Sequence, residues 1–130
     1  MAPLIAVVDD DTDFLTLLTD LLEGEGYRAR SLMVAGAAYQ DLLALRPDLI
    51  ILDVRMETPE AGWQLLELLK LTPATAATPV IMCSADAPFL RAKEAHLLER
   101  GCAVLEKPFD LDDLLRAVDD ALERSPPHSD

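Results

Sequence analysis

Apolar residues follow two rhythms along this chain. Unbroken runs at Leu4-Ile5-Ala6-Val7-Val8, Leu49-Ile50-Ile51-Leu52, Val80-Ile81-Met82-Cys83 and Cys102-Ala103-Val104-Leu105 predict strands buried on both faces, because a half-exposed strand alternates apolar with polar. Tyr27 to Leu32 is a weaker fifth candidate. Between the runs the period becomes helical. Phe14, Leu17, Leu18, Leu21 and Leu22 form one stripe that stops near Gly24 and Gly26. Further helices are predicted at about 34–45, 62–71 and 87–100, with Gly101 as the stop of the last of these. In the final helix Leu111, Leu114, Leu115, Val118, Ala121 and Leu122 share a face, and Asp110 stands at its N-cap.

Strict alternation of strand and helix, with strands apolar throughout, calls for a parallel sheet covered on both sides by helices, an α/β fold. A chain of 130 residues suits one domain, expected over 1–124. The segment Ser125-Pro126-Pro127-His128-Ser129-Asp130 has the composition of a linker and is expected to be a flexible tail.

The formal net charge of −13 argues against nucleic acid as a partner of this domain, since binding a phosphate backbone needs clustered Lys and Arg. Cys83 and Cys102 both fall in strand-like runs and read as small buried hydrophobes rather than a disulfide. The first apolar run is too short to cross a bilayer or to act as a signal segment, which predicts a cytoplasmic protein without membrane contact.

Candidate chemistry lies where the strands end, because ligands of an open parallel sheet sit beyond the carboxyl ends of its strands. Asp9, Asp10 and Asp11 follow the first run, Asp53 the third, Ser84 the fourth, and Glu106, Lys107 and Pro108 the fifth. Neighbouring acids, a hydroxyl and an ammonium at one rim have the composition of a magnesium site built to handle phosphate. A carboxylate is itself a nucleophile once a metal and a lysine offset the charge of an incoming phosphoryl group, and Asp53 stands alone between the acid pair and Ser84 with Lys107. Phosphate-cradling loops of the G-x-G-x-x-G or G-K-[ST] kind are absent from the sequence.

The fragments VVDD at 7–10, LIILD at 49–53, IMCSA at 81–85 and EKPF at 106–109, in this order and spacing, resemble the receiver domain of bacterial response regulators. The resemblance covers residues 4–123 and implies a doubly wound, CheY-like (flavodoxin-like) five-stranded parallel sheet in the order 2-1-3-4-5 with five helices. It implies that Asp53 accepts a phosphoryl group from a histidine kinase, a phosphotransfer protein or a small phosphodonor in a magnesium-dependent reaction. Asp10, Asp53 and the backbone carbonyl of Arg55 would be direct magnesium ligands, with Asp9 acting through water. Ser84, Ala85 and Lys107 would bind the phosphoryl group, and Pro108 would follow a cis peptide bond. Such a domain catalyses only its own phosphorylation and dephosphorylation. It passes its signal by a change of shape, to a downstream protein or through a homodimer. Asp11 is read differently, as the N-cap of the first helix, alone or with Thr12.

The sequence departs from the family pattern in places. An aromatic residue usually stands three positions before the lysine and works with the hydroxyl residue as a switch; here Ser84 is paired with Val104, whose side chain is small and stiff. In the loop VRMETPEAGW the family has a Pro at the place of Glu57 and a Gly one residue before Gly62. Arg55 and Asp86 stand at positions that tune the loss of the phosphoryl group, either as a lid pair or as two solvated charges. His96 reads as a solvated surface histidine, Trp63 as a partly exposed ring, and Met33, Met56 and Met82 as packing residues.

Two other classes compete. A metal-dependent phosphohydrolase of the haloacid-dehalogenase kind would carry a DxD nucleophile motif after the first strand and a cap for substrate, whereas this chain has DDD and little spare length. A receiver-like docking module that never takes phosphate is favoured by Val104 and opposed by the filled reactive positions.

Overall fold

A strand in which every residue is buried, β3 (Leu49–Asp53), forms the middle of a five-stranded sheet. The computed structural model describes residues 2–33, 35–53 and 61–124; Arg55, Met56, Glu57 and the expected tail at 125–130 lie outside the described residues. The other elements are β1 (Leu4–Val8), α1 (Thr12–Gly24), β2 (Arg28–Leu32), α2 (Ala35–Leu45), α3 (Ala61–Leu71), β4 (Val80–Ser84), α4 (Ala87–Glu99), β5 (Cys102–Glu106) and α5 (Leu111–Arg124). All pairings are parallel and the strand order is β2-β1-β3-β4-β5, as the resemblance implied.

The unbroken apolar runs are explained by two cores, one on each face. Ile5, Val7, Leu49, Ile51, Ile81 and Cys83 pack toward α1 and α5. Their neighbours Ala6, Val8, Ile50, Leu52, Val80 and Met82 pack toward α2, α3 and α4. Successive side chains of a strand point to opposite faces, so a strand covered twice must be apolar at every position. Burying each such Ile or Leu contributes about 1.5–3 kcal/mol. The weakness of the β2 signal has a matching cause: this strand is an edge with only β1 beside it, and Arg28 and Arg30 are exposed.

Two residues assigned to buried stripes lie outside. Leu17 is 58% exposed, because Leu15, Leu18 and Leu22 define the buried line of α1 and Leu17 turns well away from it. Leu111 is 46% exposed at the first position of α5, while Leu114 and Val118 carry the contact with the sheet. Gly101 follows α4 with φ of 74°, a left-handed conformation that glycine adopts without a Cβ penalty.

Both cysteines are buried and free. Among the described residues no helix is long and apolar enough to cross a membrane.

Candidate functional site

The parallel register brings the carboxyl ends of β1, β3, β4 and β5 to one rim. Val8 is level with Leu52, Asp53 with Cys83, and Ser84 with Glu106. Asp9 and Asp10 therefore leave β1 beside the end of β3, where Asp53 is the last residue of its strand.

Three successive acids serve three different ends. Asp9 is 1% exposed; one of its oxygens accepts the Asp11 N–H at 3.0 Å and the other accepts from Lys107 Nζ at 2.8 Å. Asp10 is exposed. Asp11 turns away to cap α1, accepting from the N–H groups of Asp13 at 3.0 Å and Phe14 at 3.2 Å. That cap was expected from the sequence.

Carboxylate oxygens of Asp9, Asp10 and Asp53 all lie within 4.8 Å of one another, a spacing that could hold a metal ion. Hard oxygen donors suit magnesium, which takes one or two carboxylates directly and completes its shell with water and phosphate oxygens, so a third acid is reached through water. The donor set fits the ion that the resemblance implied.

Lys107 closes the other side. Its Nζ is 2.8 Å from Asp9 and 3.4 Å from Asp53. Burial alone would lower the pKa of this ammonium, but the Asp9 hydrogen bond and the charges of Asp53 and Asp9 outweigh burial and raise it. The Lys107 N–H donates to the Ser84 carbonyl at 2.8 Å, tying the residue after β5 to the end of β4, and the Lys107–Pro108 peptide is cis as expected. Asp53, Ser84, Ala85, Asp86 and Lys107 line a cleft of about 330 Å³. The buried Ser84 hydroxyl accepts the Asp86 N–H at 2.9 Å, which leaves its own proton for another acceptor.

Asp86 was considered as one half of a lid pair; its carboxylate accepts the Phe89 N–H at 3.1 Å and caps α4, in whose first turn Pro88 sits. Its proposed partner Arg55 lies outside the described residues. His96 is exposed, as expected, with its ring 5.8 Å from that of Trp63 and its Nε2 4.0 Å from Glu67. Val104 packs against the core on the α3 and α4 side, the same cluster that Trp63 and Phe89 join with ring centroids 5.8 Å apart.

Phe14 was read only as part of an apolar stripe, and the structure gives it a place at the site. Lys107 Nζ lies 4.0 Å from the centre of its ring, and Phe109 meets that ring edge-on at 6.1 Å. The available sequence signal was its position in the first helical turn after the acid cluster. Which side chain it would meet is not legible in the sequence, because Lys107 is far from it along the chain.

Residues 5–119 match the family described as response regulator receiver domain. The chain is 36% identical to the nitrogen assimilation regulatory protein NtrX of Azorhizobium caulinodans over 95% of its own length and 27% of the relative's. It thus spans about a quarter of that curated relative. A CheY-like response regulator receiver domain protein from Methanospirillum hungatei superposes with a TM-score of 0.82 at 28% identity, covering 96% of this chain and 97% of that one. The receiver domain of a sensor histidine kinase from Pseudomonas aeruginosa, whose own structure has magnesium coordinated in its active-site cleft, shares the fold with a TM-score of 0.80 at 22% identity, covering 95% and 99% of the two chains.

Proposed function

This chain belongs to the response regulator receiver family, and from that premise we propose that Asp53 is its phosphoacceptor. One observation carries the assignment: at the end of β3 the Asp53 carboxylate has the Lys107 ammonium at 3.4 Å and the oxygens of Asp9 and Asp10 within 4.8 Å. A nucleophilic carboxylate next to a fixed cation can meet an anionic donor that it would otherwise repel.

Asp10, Asp53 and the Arg55 carbonyl would hold magnesium directly, with Asp9 acting through water. When bound, the ion offsets the combined negative charge of the acids and the phosphoryl oxygens. An Asp53 oxygen attacks phosphorus, the bond from phosphorus to the donor's histidine nitrogen breaks, and the imidazole takes the electron pair as it leaves. Lys107 turns part of its hydrogen bonding from Asp9 to the phosphoryl oxygens. Ser84 contributes its hydroxyl proton, and Ala85 forms part of the cleft wall. Later attack of water on phosphorus breaks its bond to the Asp53 oxygen, releases inorganic phosphate and restores the carboxylate. The chain in this way catalyses reactions only on itself.

The donor is a histidine kinase or a phosphotransfer protein, and the output passes to a downstream protein or through a homodimer. With a net charge of −13 this domain does not contact nucleic acid itself. With Val104 in the switch position, the output does not travel by a rotating ring on β5; Val104 instead packs in the cluster that Phe89 and Trp63 join.

Intact mass after incubation with acetyl phosphate and magnesium tests the assignment. One added phosphoryl group on the parent and none on Asp53→Ala is expected. No addition to the parent would instead favour a docking module that does not use phosphate, and addition to both would move the acceptor elsewhere.

A further inference from the structure

The triple acid and the lysine of the rim are joined by a residue that neither sequence fragment contains. The Asp11 carboxylate accepts the Phe14 N–H at 3.2 Å, fixing the first turn of α1. From that turn the Phe14 side chain reaches the rim, and its ring lies 4.0 Å from Lys107 Nζ. An ammonium within about 6 Å of a ring centroid is drawn to the negative face of the π system. Phe109, two residues after Lys107, meets the Phe14 ring at an interplanar angle of 76° and limits how it can tilt.

We propose that Phe14 is the positioning residue for Lys107, holding its ammonium over the phosphoryl cleft by a cation–π contact. The inference rests on the assignment of Asp53 as phosphoacceptor. Its physical basis is the geometry around Nζ. Two anionic partners lie at 2.8 Å and 3.4 Å, and the flexible four-carbon stem lets the ammonium follow whichever carboxylate attracts it more strongly. An ion placed among those same acids would weaken both attractions. The ring is a partner that the ion does not compete for and that takes no N–H away from a phosphoryl oxygen. Lys107 is thus kept near the cleft at the step when its carboxylate partners are engaged elsewhere.

A purely structural Phe14 would fill volume and nothing more, and the two roles separate experimentally. In Phe14→Leu, and in Phe14→Met as a second variant of similar volume, the Lys107 side-chain CH2 resonances should lose the upfield shift that a facing ring imposes. Phe14→Tyr, which keeps a ring, should retain it. With phosphoramidate as donor at saturating magnesium, the maximal rate of Asp53 phosphorylation should fall roughly three- to tenfold in the Leu and Met variants and return to near the parent value in the Tyr variant. Unchanged Lys107 resonances in the folded Leu or Met variant would overturn the proposal, as would a parent-like maximal rate. If the parent itself takes up no phosphoryl group, the assignment of Asp53 fails, and the resonances alone then decide whether Phe14 holds Lys107.

Discussion

Lys107 lies closer to Asp9 than to Asp53, 2.8 Å against 3.4 Å, so the ammonium leans toward the carboxylate that is buried deepest. The pair spans 98 residues and fastens the residue after β5 to the one after β1, across the two strands between them. This leaves Asp10 as the exposed member of the acid cluster.

Asp10→Asn removes one of three mutually repelling charges at small cost in packing. Its stability without metal should exceed that of the parent by roughly 0.5 kcal/mol, the range for a solvated charge. Magnesium should stabilise the parent, by about 1.4 kcal/mol at ten times its dissociation constant, and much less the variant. Thermal melts with and without magnesium check both. Equal magnesium effects on the two proteins would remove Asp10 from the ligand set.

Asp86→Ala loses the carboxylate that caps α4 and should lower stability by about 1 kcal/mol, whereas Asp86→Asn keeps a capping oxygen and should lie within a few tenths of the parent. The same Asn variant removes the charge next to the cleft. A changed lifetime of the phosphoryl group in Asp86→Asn, with stability preserved, would assign the lifetime effect to charge; an unchanged lifetime would show that this charge does not tune the loss of the phosphoryl group.

Tyr27 hydrogen-bonds to Asp119, linking the segment before β2 to α5. The bond, together with burial and the neighbouring charges of Asp119 and Glu25, pushes the phenol pKa up to about 12. A raised folded value means that the unfolded chain gives up the proton first. The contribution of the bond is therefore complete below about pH 10 and lost as pH rises toward 12. Tyr27→Phe should cost about 0.5–1 kcal/mol at neutral pH, the range of a partly exposed hydrogen bond. The difference between parent and variant in urea unfolding should shrink between pH 10 and 12; a constant difference would show that the hydroxyl is not held by Asp119.

Burial pushes the Cys83 thiol up to about 12 and raises that of Cys102 as well. Since the thiolate is the reactive form, neither should be alkylated by iodoacetamide at pH 8 in the native protein. Both should react once urea unfolds the chain. Rapid native labelling of Cys83 would mean that the rim opens more readily than its packing indicates.

The elements and the acid-rich rim were legible because local rules govern them. A run such as Leu49-Ile50-Ile51-Leu52 has few alternatives to a doubly covered strand, and Gly101 marks a helix end by its backbone freedom alone. The β2 edge was faint because an exposed edge relaxes the apolar requirement, as Arg28 and Arg30 show. Leu17 went astray for a related reason: a stripe of leucines does not say which line of the helix meets the sheet, and packing against the sheet selected Leu15, Leu18 and Leu22.

By itself the sequence determined that strands and helices alternate, that acids, a hydroxyl and a lysine follow the strands, and that Asp11 caps a helix. Each of these depends on neighbours a few residues apart. Tertiary structure decided that Lys107 pairs with Asp9 more closely than with Asp53, that the Phe14 ring lies against the ammonium, and that the Asp86 carboxylate caps α4. Contacts between residues far apart in the chain depend on strand order, register and side-chain reach, and those are fixed only when the two cores close around the sheet.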